Sequence, residues 1–139
     1  MKSKAVWKGG LSFTGTADGT YLIPLDASKA AGGHDLGFRP LQLFAVGLVG
    51  CTGMDVISIL QKKRQDVREF EVSAVVARAD EHPKVFTEIK LTYSVTGKNI
   101  SRDAVERAVE LSEKRYCGAK AMLQETAAIT NEIVINQVE

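Results

Sequence analysis

The chain has 139 residues, 45% of them apolar and 25% charged, with a formal net charge of +1. That length suits a single domain over residues 1–139 with a real core, and the apolar share is far from that of a membrane protein. The near-balance of charge leaves no basic excess to neutralise phosphates, which argues against nucleic acid as a partner.

Met1-Lys2-Ser3-Lys4 runs into Trp7-Lys8-Gly9-Gly10 without an apolar signal core, so the expected compartment is the cytoplasm. Ala5-Val6-Trp7 and Leu11-Ser12-Phe13 flank Lys8-Gly9-Gly10, which reads as a hairpin. Tyr21 to Asp26 forms a third short strand, with Pro24 pointing to an edge position. Ala27 to Phe38 is a glycine-containing loop without periodicity.

Pro40 opens a long helix that is apolar almost all round from Leu41 to Leu60. Lys62, Lys63 and Arg64 stand where cations suit the C-terminal end of its dipole. The stretch approaches the length of a membrane span. Gln42 and Asp55 inside it, and Gly47, Gly50 and Gly53 along it, favour burial in protein, against sheet or a second subunit. No membrane association is expected. Glu69 to Asp80 and Phe86 to Thr96 are strands joined by Asp80–Lys84; in the second, Ile89, Leu91, Tyr93 and Val95 alternate with polar residues. Ser101 caps a helix whose inner stripe is Val105, Ala108, Val109 and Ser112. Cys117-Gly118 breaks it, Ala119 to Gln124 is a further short helix, and Ile133-Val134-Ile135 is a terminal strand. The order strand, long helix, hairpin, helices, strand defines an α+β domain.

Two cysteines, Cys51 and Cys117, carry the chemistry worth weighing. Neither sits in a CxxC pair, and in a reducing compartment both begin as thiols. Cys51 lies midway along the most apolar segment, where a free cysteine is commonly an inert packing residue. Small Gly47 and Gly50 beside it leave room for a ligand or another backbone, but a mid-helix thiol gains nothing from a helix N-terminus. Asp55, one turn on, would oppose its ionisation if it faced the same way; the preferred reading of Asp55 is a hydrogen-bonded helix residue. Cys117, at a helix break, stands at a more accessible kind of position. A buried thiol and one at a flexible junction would suit oxidation followed by disulfide closure. His34 and His82 are far apart and no Cys/His cluster has ligand spacing, so no metal and no bound cofactor are expected.

Arg39-Pro40-Leu41-Gln42-Leu43-Phe44, with Gly50-Cys51-Thr52-Gly53-Met54-Asp55-Val56, resembles the signature helix of the OsmC/Ohr family. Glu81 to Phe86 and Lys114-Arg115-Tyr116-Cys117 through Ala121-Met122-Leu123 are similar to it as well, closest to an OsmC-like subgroup rather than to Ohr itself. The resemblance implies an OsmC-like fold, with antiparallel sheets around a long buried central helix, in an intertwined homodimer with its active sites at the subunit interface. It implies reduction of organic hydroperoxides, with Cys51 attacking, Cys117 resolving and an external dithiol as reductant. An apolar pocket drawing on Phe44, Leu48 and Met54 would hold the substrate.

Two departures accompany the resemblance. Ala17 stands where the family's activating arginine falls, and Leu41 and Gln42 occupy the positions of the glutamate that holds that arginine. Arg39 and Gln42 are the remaining candidate activating or orienting groups. The departures sustain an alternative: the same dimer binding a small apolar or electrophilic molecule with little turnover.

Overall fold

Three short segments separated by glycine-containing turns build the first sheet in the computed structural model, which describes residues 1–139. Strands β1 (Ser3–Gly9), β2 (Ser12–Ala17) and β3 (Tyr21–Leu25) pair antiparallel in the order β1-β2-β3. Gly9 and Gly10 turn the hairpin at positive φ, a conformation that glycine adopts without steric cost. Pro24 falls on the edge strand, as the sequence indicates. The chain falls into two compact units, Met1–Phe44, which contains this sheet, and Ala45–Glu139.

The aperiodic loop of the first unit is organised around one carboxylate. Asp26 accepts from the backbone N–H groups of Ala27 at 2.7 Å, His34 at 3.1 Å and Leu36 at 3.2 Å. Burial opposes its ionisation, but these donors and the neighbouring His34 outweigh that and hold the carboxyl below its ordinary range. The loop folds back closely enough that a side chain at Gly33 or Gly37 would run into the carbonyl oxygens of Ala27 or Pro24.

Helix α1 (Pro40–Lys62) begins in the first unit and runs through the second. Strands β4 (Asp66–Arg78), β5 (Phe86–Lys98) and β6 (Ala128–Gln137) form the second sheet in the order β4-β5-β6. Helix α2 (Arg102–Leu111), a π-helical turn over Ser112–Tyr116 and helix α3 (Gly118–Leu123) connect β5 to β6. Ser101 caps α2 through a hydrogen bond from the Ala104 N–H, and Val105, Ala108, Val109 and Ser112 are buried as the helical spacing predicts. The core joins them to Leu48, Val56 and Leu60 of α1 and to Ile89, Leu91, Tyr93 and Val95 of β5.

The α+β class and the order of elements are as expected, with two corrections of detail. First, the sheets are not wholly antiparallel, because β6 runs parallel to β5. A helical crossover from β5 permits that direction, whereas a tight turn would not. Second, α1 is not buried all round within one chain: only Leu48, Thr52, Val56 and Leu60, a stripe at i,i+4 spacing, are buried. Phe44 is 56% exposed and Met54 74% exposed.

Candidate functional site

Cys51 and Asp55 occupy the same face of α1 because they are four residues apart, little more than one helical turn. The π-helical turn after α2 brings Cys117 to them, closed by a hydrogen bond from the Cys117 N–H to the Ser112 carbonyl at 2.8 Å. The two sulfurs and an Asp55 carboxylate oxygen all lie within 4.8 Å of one another. The fold therefore joins two cysteines that sequence spacing could not connect.

The expected exposures of the two thiols are reversed. Cys117 is only 3% exposed, whereas Cys51 is half-buried. Cys117 is not at a loose junction: it is the N-cap of α3, and its sulfur accepts from the Lys120 N–H at 3.4 Å. Cys51 sits beside the buried stripe of α1, not within it. Burial pushes the Cys117 thiol up to about 11, and the adjacent Cys51 sulfur acts in the same direction against the Lys120 and Ala119 N–H groups. Cys117 is therefore a neutral thiol at physiological pH.

A chain of hydroxyls and carboxylates leads away from the cysteines. Ser112 Oγ donates to Asp55 Oδ2 at 2.9 Å, and Ser112 Oγ also lies 2.8 Å from Thr52 Oγ1. Thr52 Oγ1 is 2.8 Å from the Tyr93 hydroxyl, which donates to Glu113 Oε1 at 2.8 Å. Glu113 Oε2 accepts from Asn131 Nδ2 at 3.0 Å and pairs with Lys120 Nζ at 3.8 Å. Burial drives the Tyr93 hydroxyl far above the ordinary tyrosine range, so it serves as a neutral donor. Asp55 is the hydrogen-bonded helix residue expected, and it also faces the sulfurs. Thr52, Tyr93, Ser112 and Glu113 were missed as site residues. The available signal was a hydroxyl at an inward position of each apolar stripe: 52 beside Cys51, 93 in the β5 alternation and 112 in α2.

The remaining expected residues lie in other settings. The Gln42 carboxamide oxygen accepts from the Arg39 backbone N–H at 2.9 Å, half of a capping box at the start of α1. The Arg39 guanidinium pairs with Asp35 and donates to the Gly37 carbonyl at 2.9 Å. Leu48 is sealed in the core, while Phe44 and Met54 are exposed.

Comparison with known proteins returns one family. The family model described as OsmC-like protein matches residues 32–132. Protein YhfA of Escherichia coli K12 is 37% identical over 131 residues, covering 94% of this chain and 95% of its own. A hypothetical protein from Aquifex aeolicus superposes with a TM-score of 0.86 at 26% identity, over 99% of this chain and 97% of that one. The organic hydroperoxide resistance protein OhrB of Bacillus subtilis shares the fold, with a TM-score of 0.61 at 23% identity over 96% and 98% of the two chains.

Proposed function

The chain belongs to the OsmC-like protein family, and on that premise we propose that it is a thiol-dependent peroxidase for organic hydroperoxides, serving oxidative-stress defence in the cytoplasm. The observation that carries this reading is the approach of the Cys51 and Cys117 sulfurs to within 4.8 Å. A disulfide is about 2 Å long, so closure brings the two sulfurs together from that separation.

In the proposed cycle the Cys51 thiolate attacks the terminal oxygen of ROOH. The O–O bond breaks, Cys51 becomes a sulfenic acid, and the alkoxide takes a proton to leave as ROH. Cys117 then attacks that sulfur, and its proton leaves with the hydroxyl as water, giving the Cys51–Cys117 disulfide. A small-molecule dithiol gives two electrons and two protons to restore both thiols, itself becoming a disulfide. The assignment of roles rests on exposure. Half-buried Cys51 is the sulfur a peroxide can reach, and Cys117, held neutral by burial, is poorly suited to attack first.

Activation differs from the family pattern, since position 17 is alanine and Arg39 is engaged by Asp35 and Gly37. In this reading a homodimer covers the exposed apolar residues of α1, Phe44 and Met54 among them. The absent arginine favours a second reading, a dimer that binds a small apolar or electrophilic molecule with little turnover.

Peroxide consumption by reduced protein with a dithiol separates the two. The peroxidase reading expects catalytic turnover that Cys51→Ser abolishes. With the dithiol removed, it expects Cys117→Ser to consume a single equivalent and accumulate a sulfenic acid that a dimedone-type probe traps. Oxidation no faster than that of a free thiol would leave the binding reading.

A further inference from the structure

The donor set Cys51 Sγ, Cys117 Sγ and an Asp55 carboxylate oxygen is more than a redox pair needs. We propose that the reduced protein binds a thiophilic divalent cation of the zinc class through these three groups, an inference that goes beyond the peroxidase reading; the binding itself does not depend on that reading, and only its exclusion by peroxide rests on it. The linear spacing of cysteines and histidines offers no such site; the fold creates it by carrying Cys117 onto the Cys51–Asp55 face of α1.

Geometry comes first. All three donor atoms lie within 4.8 Å of one another. Tetrahedral zinc, with bonds of about 2.3 Å to sulfur and about 2.0 Å to oxygen, holds such donors about 3.4–3.8 Å apart. The required contraction is within side-chain adjustment. Cys51 and Asp55, at i and i+4 on a rigid helix, form one side of the site, and Cys117 at the N-cap of α3 forms the other.

The surroundings are those that orient metal ligands. The Ser112 hydroxyl donates to Asp55 Oδ2 at 2.9 Å, which fixes the orientation of the carboxylate. The Lys120 N–H donates to the Cys117 sulfur at 3.4 Å, a contact that favours thiolate over thiol. Ser112 is itself fixed by Thr52, and Thr52 by Tyr93, each at 2.8 Å. Two thiolates and one carboxylate select a borderline-soft cation over magnesium or calcium, which take oxygen donors.

Three protein ligands leave a fourth position open to water or an external thiol, as in catalytic and exchangeable zinc sites rather than closed structural ones. Binding releases the two thiol protons as the metal–sulfur bonds form. The same sulfurs cannot be metal-bound and joined to each other, so a hydroperoxide that converts them to the disulfide expels the ion. Metal occupancy and peroxide reactivity are then mutually exclusive states of one site.

The test is anaerobic titration of the reduced, metal-free full-length protein with Co2+, followed by displacement with Zn2+. The expected result is one Co2+ per chain, with a thiolate-to-cobalt charge-transfer band and intense tetrahedral d–d bands that one equivalent of Zn2+ abolishes. Asp55→Asn is expected to weaken Zn2+ binding at least about tenfold, and Ser112→Ala by about tenfold, with unchanged far-ultraviolet circular dichroism. Absence of the charge-transfer band would overturn the proposal, as would equal affinity in Asp55→Asn, which would mean that two thiols bind alone. Peroxide consumption by the metal-free protein is a separate readout, so failure of either idea is distinguishable from failure of the other.

Discussion

Cys117 is where residue chemistry speaks most clearly. Its thiol stays neutral up to about 11 because burial disfavours the thiolate, against an ordinary value of 9.0. The linkage has a definite sign. Below about pH 9 the folded and unfolded forms both keep the proton, so stability is full. Above it the unfolded chain releases the proton first, and stability falls as pH rises towards about 11. Tyr93, also raised, adds to the fall at high pH, so the difference between wild type and Cys117→Ala isolates the cysteine. Urea unfolding of reduced protein across this window should show a shallower decline in Cys117→Ala. Parallel curves would contradict the burial argument. The reversal of exposure between Cys51 and Cys117 was not legible in sequence: a cysteine before a glycine looks accessible, and only the N-cap geometry turns its sulfur inward.

Among the elements, β5 was the most legible. Its alternation names Ile89, Leu91, Tyr93 and Val95 as inward, and all four are buried. It is the middle strand of its sheet, so both backbone edges are paired, and its inward face lies in the core it shares with α1 and α2. Leu91→Ala should cost about 2–5 kcal/mol in chemical denaturation, the range for a fully buried leucine; a cost below 1 kcal/mol would show that the site collapses or is not core. The direction of β6 was not legible, because strand pairing is a non-local property that local alternation does not encode. Helix α1 was legible as a helix but not in its burial. An apolar sequence all round states that every face will be covered, not which faces this chain covers itself.

At the scale of the whole molecule, that uncovered surface is the main unfinished business. Phe44, Val46 and Met54 expose apolar side chains on a helix whose own chain buries only four residues of it. A homodimer that covers them should sediment as a dimer, and Met54→Glu should raise its dissociation constant about tenfold or more, equivalent to about 1.4 kcal/mol; a monomer at micromolar wild-type concentration would refute the covering. The sequence suggests the cysteine pair from the setting of each residue and from family resemblance but does not show that they meet, and the Thr52–Tyr93–Ser112–Asp55 network beside them emerges only from the fold. The central claim is that Cys51 and Cys117 work as a pair, and peptide mapping by mass spectrometry after a single equivalent of organic hydroperoxide tests it most directly. The account predicts one intramolecular Cys51–Cys117 disulfide per chain, formed with loss of both thiols and absent in Cys51→Ser. A stable Cys51 sulfenic or sulfinic acid with Cys117 still reduced would contradict it.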